Sequence, residues 1–116
     1  MLAAAEDIRE IIFANIRQRQ FCAEITAERD GVIAGAARLS SVLSTMGIEP
    51  EICVEDGAAV VAGRVVARIH GTPKQIAMAE EVAIGALAKA SGIATAARRA
   101  VEAAGNEMRV VCGAWK

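Results

Sequence analysis

Aromatic side chains are nearly missing from this sequence: Phe13, Phe21 and Trp115 are the complete set, and tyrosine does not occur. That scarcity excludes a core built on ring packing. Any core must come from Ala, Val, Ile, Leu and Met, within a hydrophobic fraction of 54%. Small aliphatic side chains let helices approach closely, yet each buries little area, so 116 residues of this kind have a thin stability margin. The composition therefore predicts a domain that leans on a second domain or a second subunit.

Charge of one sign is also lacking. Thirteen basic and 14 acidic residues are interspersed, giving a formal net charge of −1, and no basic block exists to release counterions from nucleic acid. No apolar run is long enough to span a bilayer. Met1 to Asp7 lacks the basic start and apolar stretch of a secretory signal, so the expectation is a cytoplasmic protein without nucleic-acid or membrane partners. Cysteines are few and odd in number: Cys22, Cys53 and Cys112 form no Cys-x-x-Cys pair, and His70 is the sole histidine. This pattern gives neither a zinc ligand set nor a disulfide framework, and it predicts buried free thiols in a reducing compartment. His70, before Gly71, reads as a turn or surface residue. The chain has no glycine-rich phosphate loop and no acidic pair placed for a metal, so the domain itself is expected to hold no cofactor.

What is present reads as mixed helix and strand. Ile8, Ile11 and Ile12 sit at helical spacing within an opening helix over Ala3 to Phe13. Phe21 to Glu28 alternates as a half-buried strand, Asp30-Gly31 turns, and Val32 to Ala34 extends again. Ala36, Leu39, Val42, Leu43 and Met46 share one face of a helix closed by Gly47. Glu51 to Glu55 extends, Asp56-Gly57 turns, and Val60 to Ile69 suggests a hairpin ending in a valine-rich strand. Pro73 opens a helix with the stripe Ile76, Ala79, Val82, Ala83, Leu87 and Ala90. Ser91-Gly92 is expected to interrupt it, with Ser91 capping a second helix to Ala104 and Arg109 to Cys112 as a closing strand. Gly31, Gly57 and Gly71 are read as suppliers of backbone freedom at turns. Without regular βαβ alternation, the fold class is α+β with a mainly antiparallel sheet.

Three strings, in order, carry a resemblance: Glu28 to Gly35; Glu55-Asp56-Gly57 with Gly63, Ala67, Ile69 and Gly71; and Ala79-Glu80 ten residues before Ser91-Gly92-Ile93-Ala94-Thr95. Over residues 20–116 the sequence resembles the amino-terminal domain of quinolinate phosphoribosyltransferases (nicotinate-nucleotide pyrophosphorylases). The Gly-Asp-x-Thr-Thr string that precedes this region in the family is missing. The resemblance makes Gly31, Gly35, Gly57, Ser91, Gly92 and Thr95 structural motif residues, and it implies no catalytic residue in the chain. It implies a hammerhead-like α/β sandwich in three parts: a helical lead-in over 1–19, a substrate-closing and dimerising domain over 20–112, and the start of a carboxy-terminal α/β barrel at 113–116. The barrel would bind phosphoribosyl pyrophosphate with magnesium and would join quinolinate to ribose for NAD synthesis. The amino-terminal domain would close the active site of a partner subunit.

Two positions depart from the family. Glu81 stands where an arginine grips a substrate carboxylate, and Trp115-Lys116 stands where an arginine-lysine pair opens the barrel. Two unit charges about 4 Å apart interact by about 4 kcal/mol at an effective dielectric near 20, so reversing one disfavours quinolinate. Glu81, Trp115 and Lys116 are thus the candidate substrate-binding residues of an altered site. Two other readings are a non-catalytic oligomerisation domain and a lipoyl- or biotinyl-type carrier. The carrier reading needs an exposed lysine at a hairpin tip, and Lys74 lacks the flanking methionines of such a site.

Overall fold

A computed structural model of the chain describes residues 7–111 and residue 113. The first helix, α1 (Ile8–Ile12), begins where the Asp7 carboxylate accepts a 2.9 Å hydrogen bond from the Arg9 backbone N–H. Strand β1 (Phe21–Thr26) then runs antiparallel to β5 (Val65–Gly71), from Phe21 opposite Gly71 to Thr26 opposite Val65. A register shift falls between Ile25 and Thr26. β3 (Glu51–Ile52) pairs on the other edge of β5, giving the order β1-β5-β3. β5 is central because its Val66, Ala67 and Ile69 are buried and its ladder is paired on both edges. β2 (Gly31–Val32) and β4 (Ala59–Val60) form a second small sheet. Every pairing is antiparallel, as the α+β reading predicts.

The carrier-type hairpin does not form. β4 pairs with β2 and not with β5, so Val60 to Ile69 crosses between two sheets instead of turning back on itself.

Helix α2 (Ala36–Thr45) buries Ala36, Leu39 and Leu43. With Ile48 and Val66, these leucines form the most deeply buried part of an all-aliphatic core. Thr72 and Gln75 make a reciprocal capping box, and Pro73 occupies the first turn of α3 (Pro73–Ala83). The sequence expectation of a break at Ser91-Gly92 is wrong. α3 passes through a π-helical turn (Ile84–Ala88) directly into α4 (Lys89–Ala104). Ser91 therefore caps nothing: its helical neighbours already satisfy the backbone, and its hydroxyl is used elsewhere. The apolar stripe buries at Ala79, Ala83 and Leu87, and α4 contains no buried residue.

Two further expectations are corrected. Residues 109–111 are exposed and form no strand; Cys112 lies outside the described residues. The thiols are not buried: Cys22 is exposed and Cys53 half-buried. Cys22 faces His70, and Cys53 bonds to Val66 across the opposite edge of β5. Strand spacing and rise put their backbones roughly 16 Å apart, too far for a disulfide.

Candidate functional site

The family-like strings converge on one seam, where the long helix meets the segment from Gly31 to Ala36. In an extended chain, residues two apart point their N–H and C=O groups to the same side, about 6.6 Å apart. Helix residues four apart lie on one face at about 6 Å. Those spacings match here. Thr95 Oγ1 accepts from the Val32 N–H at 2.9 Å and donates to the Val32 carbonyl at 3.4 Å. Ser91 Oγ does the same for Ala34, at 3.0 and 3.1 Å. The helix thus presents two hydroxyls in place of a neighbouring strand.

Glycines let the backbones approach. A Cβ on Gly31 would stand 2.6 Å from Thr95 Oγ1, so this glycine serves the helix contact; its φ is not positive, and the turn reading is corrected. Gly71 likewise has no positive φ; a Cβ there would crowd Gln75. Gly35 is required twice over, by its φ of 94° and by the Ala86 carbonyl of the π turn, which a Cβ would strike. As the N-cap of α2 it has no side chain to accept from the first turn. Asp56 supplies one from 20 residues away, accepting from the N–H groups of Ala36 at 2.7 Å and Ala37 at 3.3 Å. Gly57 turns with φ 90°, and its carbonyl accepts from Arg98 at 3.5 Å. Gly92 lies inside α4, with open space around its α-carbon.

Beside this seam lies a groove of about 730 Å³ between the run from Ala23 to Ile33 and the long helix. Its floor is apolar, with Ile25, Val32, Ile33, Ile76, Ala83 and Leu87. Its lining also includes the charged residues Glu28, Asp30, Glu80, Arg29 and Arg99, while the Glu24 carboxylate is paired with Arg68, which does not line the groove. Among the described residues no three His, Cys, Asp or Glu side chains converge into a metal-ligand cluster.

Glu81 does not line the groove. It is exposed on α3, where Arg9 Nη1 of α1 approaches its Oε1 at 3.3 Å. The same guanidinium is held by Asp7, with Nη2 at 2.8 Å from Oδ2. Arg9 keeps the Asp7 carboxyl at about 2, below its ordinary 3.8, chiefly by side-chain hydrogen bonding. Lys74 Nζ bonds Glu10 Oε1 at 2.6 Å alongside, so two ion pairs tie α1 to α3. Trp115 and Lys116 lie outside the described residues. The sequence reading missed Arg9 and Asp56 as partners. For Asp56 a signal existed: a glycine N-cap demands a remote acceptor.

The family description "Quinolinate phosphoribosyl transferase, N-terminal domain" matches residues 7–91. The chain is 31% identical over 96 residues to the probable nicotinate-nucleotide pyrophosphorylase (carboxylating) of Bacillus subtilis, covering 81% of this chain and 33% of that protein. It is 33% identical over 82 residues to the human nicotinate-nucleotide pyrophosphorylase (carboxylating), covering 71% of this chain and 28% of that one. The solved structure of NadC from Streptococcus pyogenes superposes with a TM-score of 0.76 at 26% identity, covering 89% of this chain and 38% of NadC. The chain therefore spans about a third of the length of the curated relatives it matches.

Proposed function

The chain belongs to the family of quinolinate phosphoribosyl transferase N-terminal domains, and from that premise we propose that it is the substrate-closing, dimerising domain of a pentosyltransferase of NAD biosynthesis. In this reading a carboxy-terminal barrel binds phosphoribosyl pyrophosphate with magnesium and carries out the transfer. The amino-terminal domain covers a partner subunit's site, excludes water and contributes to substrate choice. Two observations support a domain that needs others around it. It exposes 8520 Å², whereas a compact monomer of its mass exposes about 6,000 Å². The excess is of the order of a substantial interface. The long helix also extends beyond the core with Ile84, Ile93 and Val101 exposed.

Glu81 is the observation that carries the substrate reading. The family places an arginine there to grip a carboxylate, and here the position is a carboxylate itself. Its neighbour Arg9 does not restore the missing cation, because Asp7 and Glu81 together outweigh it by one negative charge. An arginine fork binds a carboxylate through two parallel hydrogen bonds, and the guanidinium found beside Glu81 among the described residues, Arg9, is already held by Asp7. The enzyme is therefore proposed to prefer a substrate that is neutral or cationic where quinolinate carries that carboxylate. Trp115 and Lys116 are proposed to face the same substrate.

Isothermal titration of quinolinate into the full-length protein tests this. The wild type should bind weakly, and Glu81→Arg should bind at least about tenfold tighter, equivalent to about 1.4 kcal/mol. Tight binding by the wild type with no gain in the variant would restore the ordinary substrate. A non-catalytic oligomerisation role is the second reading, favoured by the same exposed helix; it predicts no transfer to any pyridine carboxylate.

A further inference from the structure

Where α1 meets α3, Glu81 is held by a guanidinium that is itself held. Arg9 Nε lies 3.0 Å from Asp7 Oδ1 and 3.2 Å from Oδ2, and Nη2 lies 2.8 Å from Oδ2. The Arg9 backbone N–H bonds the same carboxylate at 2.9 Å. These contacts fix the guanidinium plane within α1, before α3 is reached. They leave Nη1 to donate to Glu81 Oε1 at 3.3 Å, across 72 residues of sequence. One face of α3 serves both ties to α1, since Lys74 and Glu81 stand seven residues apart. The Arg9 side chain is 26% exposed and that of Glu81 75%. A pair this open contributes little to stability, so its main effect is on where the carboxylate points.

A carboxylate held through one oxygen keeps the other for a ligand. Among the described residues Glu81 Oε2 has no hydrogen-bond partner. An ionised carboxylate only accepts hydrogen bonds, so its complement is an N–H group. Asp7, Arg9 and Glu81 together carry one negative charge, and Lys74 beside them is matched by Glu10 at 2.6 Å. A ligand carboxylate brought to Oε2 would meet repulsion without a donor, whereas a neutral amide would supply the donor without the charge. Resting on the reading that position 81 meets the substrate, we propose that Arg9 is the positioning residue for Glu81. The substrate then presents an N–H donor of the carboxamide class where quinolinate carries a carboxylate. Covering of this surface by a partner subunit removes water and strengthens both the hold of Arg9 on Oε1 and the substrate bond to Oε2.

The test is isothermal titration of the two monoamides of quinolinate, alongside quinolinate itself, into the full-length protein. The wild type should bind one monoamide at least about tenfold tighter than the diacid. Glu81→Ala should erase that preference. Arg9→Ala should reduce it by about threefold, the size of one exposed ion pair, and Arg9→Lys should recover part of the loss. Affinity for phosphoribosyl pyrophosphate should be the same in all four proteins, which separates a positioning role from general damage to the fold. A preference that Glu81→Ala erases and Arg9→Ala leaves intact overturns the role of Arg9 while the reading of position 81 stands. A wild type with no preference for either monoamide, whose quinolinate binding still changes in Glu81→Ala, overturns the donor class alone. Affinities for all three ligands that are unchanged by Glu81→Ala show that position 81 does not meet the substrate, and both the reading and the proposal fail.

Discussion

At Asp7 one carboxylate does two jobs, accepting from the Arg9 backbone at the start of α1 and gripping the Arg9 guanidinium. Both favour its charged form, so its folded value lies at about 2, below the ordinary 3.8. A depressed carboxylate contributes stability that is present above about pH 4 and is lost as pH falls through its folded value. An NMR titration of the Asp7 carboxyl carbon should therefore show a midpoint near 2, and Arg9→Ala should return it towards 3.8. A midpoint unmoved by Arg9→Ala would show that the ion pair is not formed in solution. The same guanidinium reaches Glu81, so Arg9→Ala also removes one of the two ion pairs that tie α1 to α3.

Among the elements, the seam between the long helix and the segment 31–36 concentrates the family-like residues. Gly31 and Thr95 occupy the same space from opposite sides, so Gly31→Ala should destabilise the chain by about 1–3 kcal/mol through overpacking. Thr95→Ala removes the obstructing hydroxyl and methyl, though it forfeits the bonds to Val32. The double variant should be less destabilised than the sum of the singles, with a coupling of about 0.5–3 kcal/mol by urea unfolding. Additive losses would mean that the two residues do not meet. The continuous helix explains why Ser91-Gly92 misleads at the sequence level. A serine-glycine pair looks like a boundary because both residues weaken isolated helices. Here the hydroxyl instead compensates the backbone of Ala34, which has no strand on that side.

At the scale of the molecule, the chain measures 64 × 35 × 20 Å with a radius of gyration of 18.0 Å, against about 13 Å for a compact domain of this length. α4 has no buried residue, and Ile8, Ile11 and Ile12 of α1 are exposed as well. Exposed apolar faces of this kind associate. The isolated chain should self-associate at high micromolar concentration in sedimentation velocity, and Ile93→Glu with Val101→Glu should shift it towards monomer. A monodisperse wild-type monomer would count against that.

The sequence by itself determined which segments bury: the stripe on α2, the valine-rich β5, the proline start of α3 and the antiparallel α+β class all follow from periodicity and local stereochemistry. The charge reversal at Glu81 was equally legible, since it needs only the residue order around Ala79-Glu80. Tertiary structure alone decided the rest. Whether β4 pairs with β2 or β5, whether Ser91 ends a helix or clamps a strand, and which acceptor caps α2 depend on partners 20 to 63 residues away. Local preference is worth a few tenths of a kcal/mol per residue, and an unpaired backbone group costs more than that. The distant partner therefore sets the outcome wherever the two disagree.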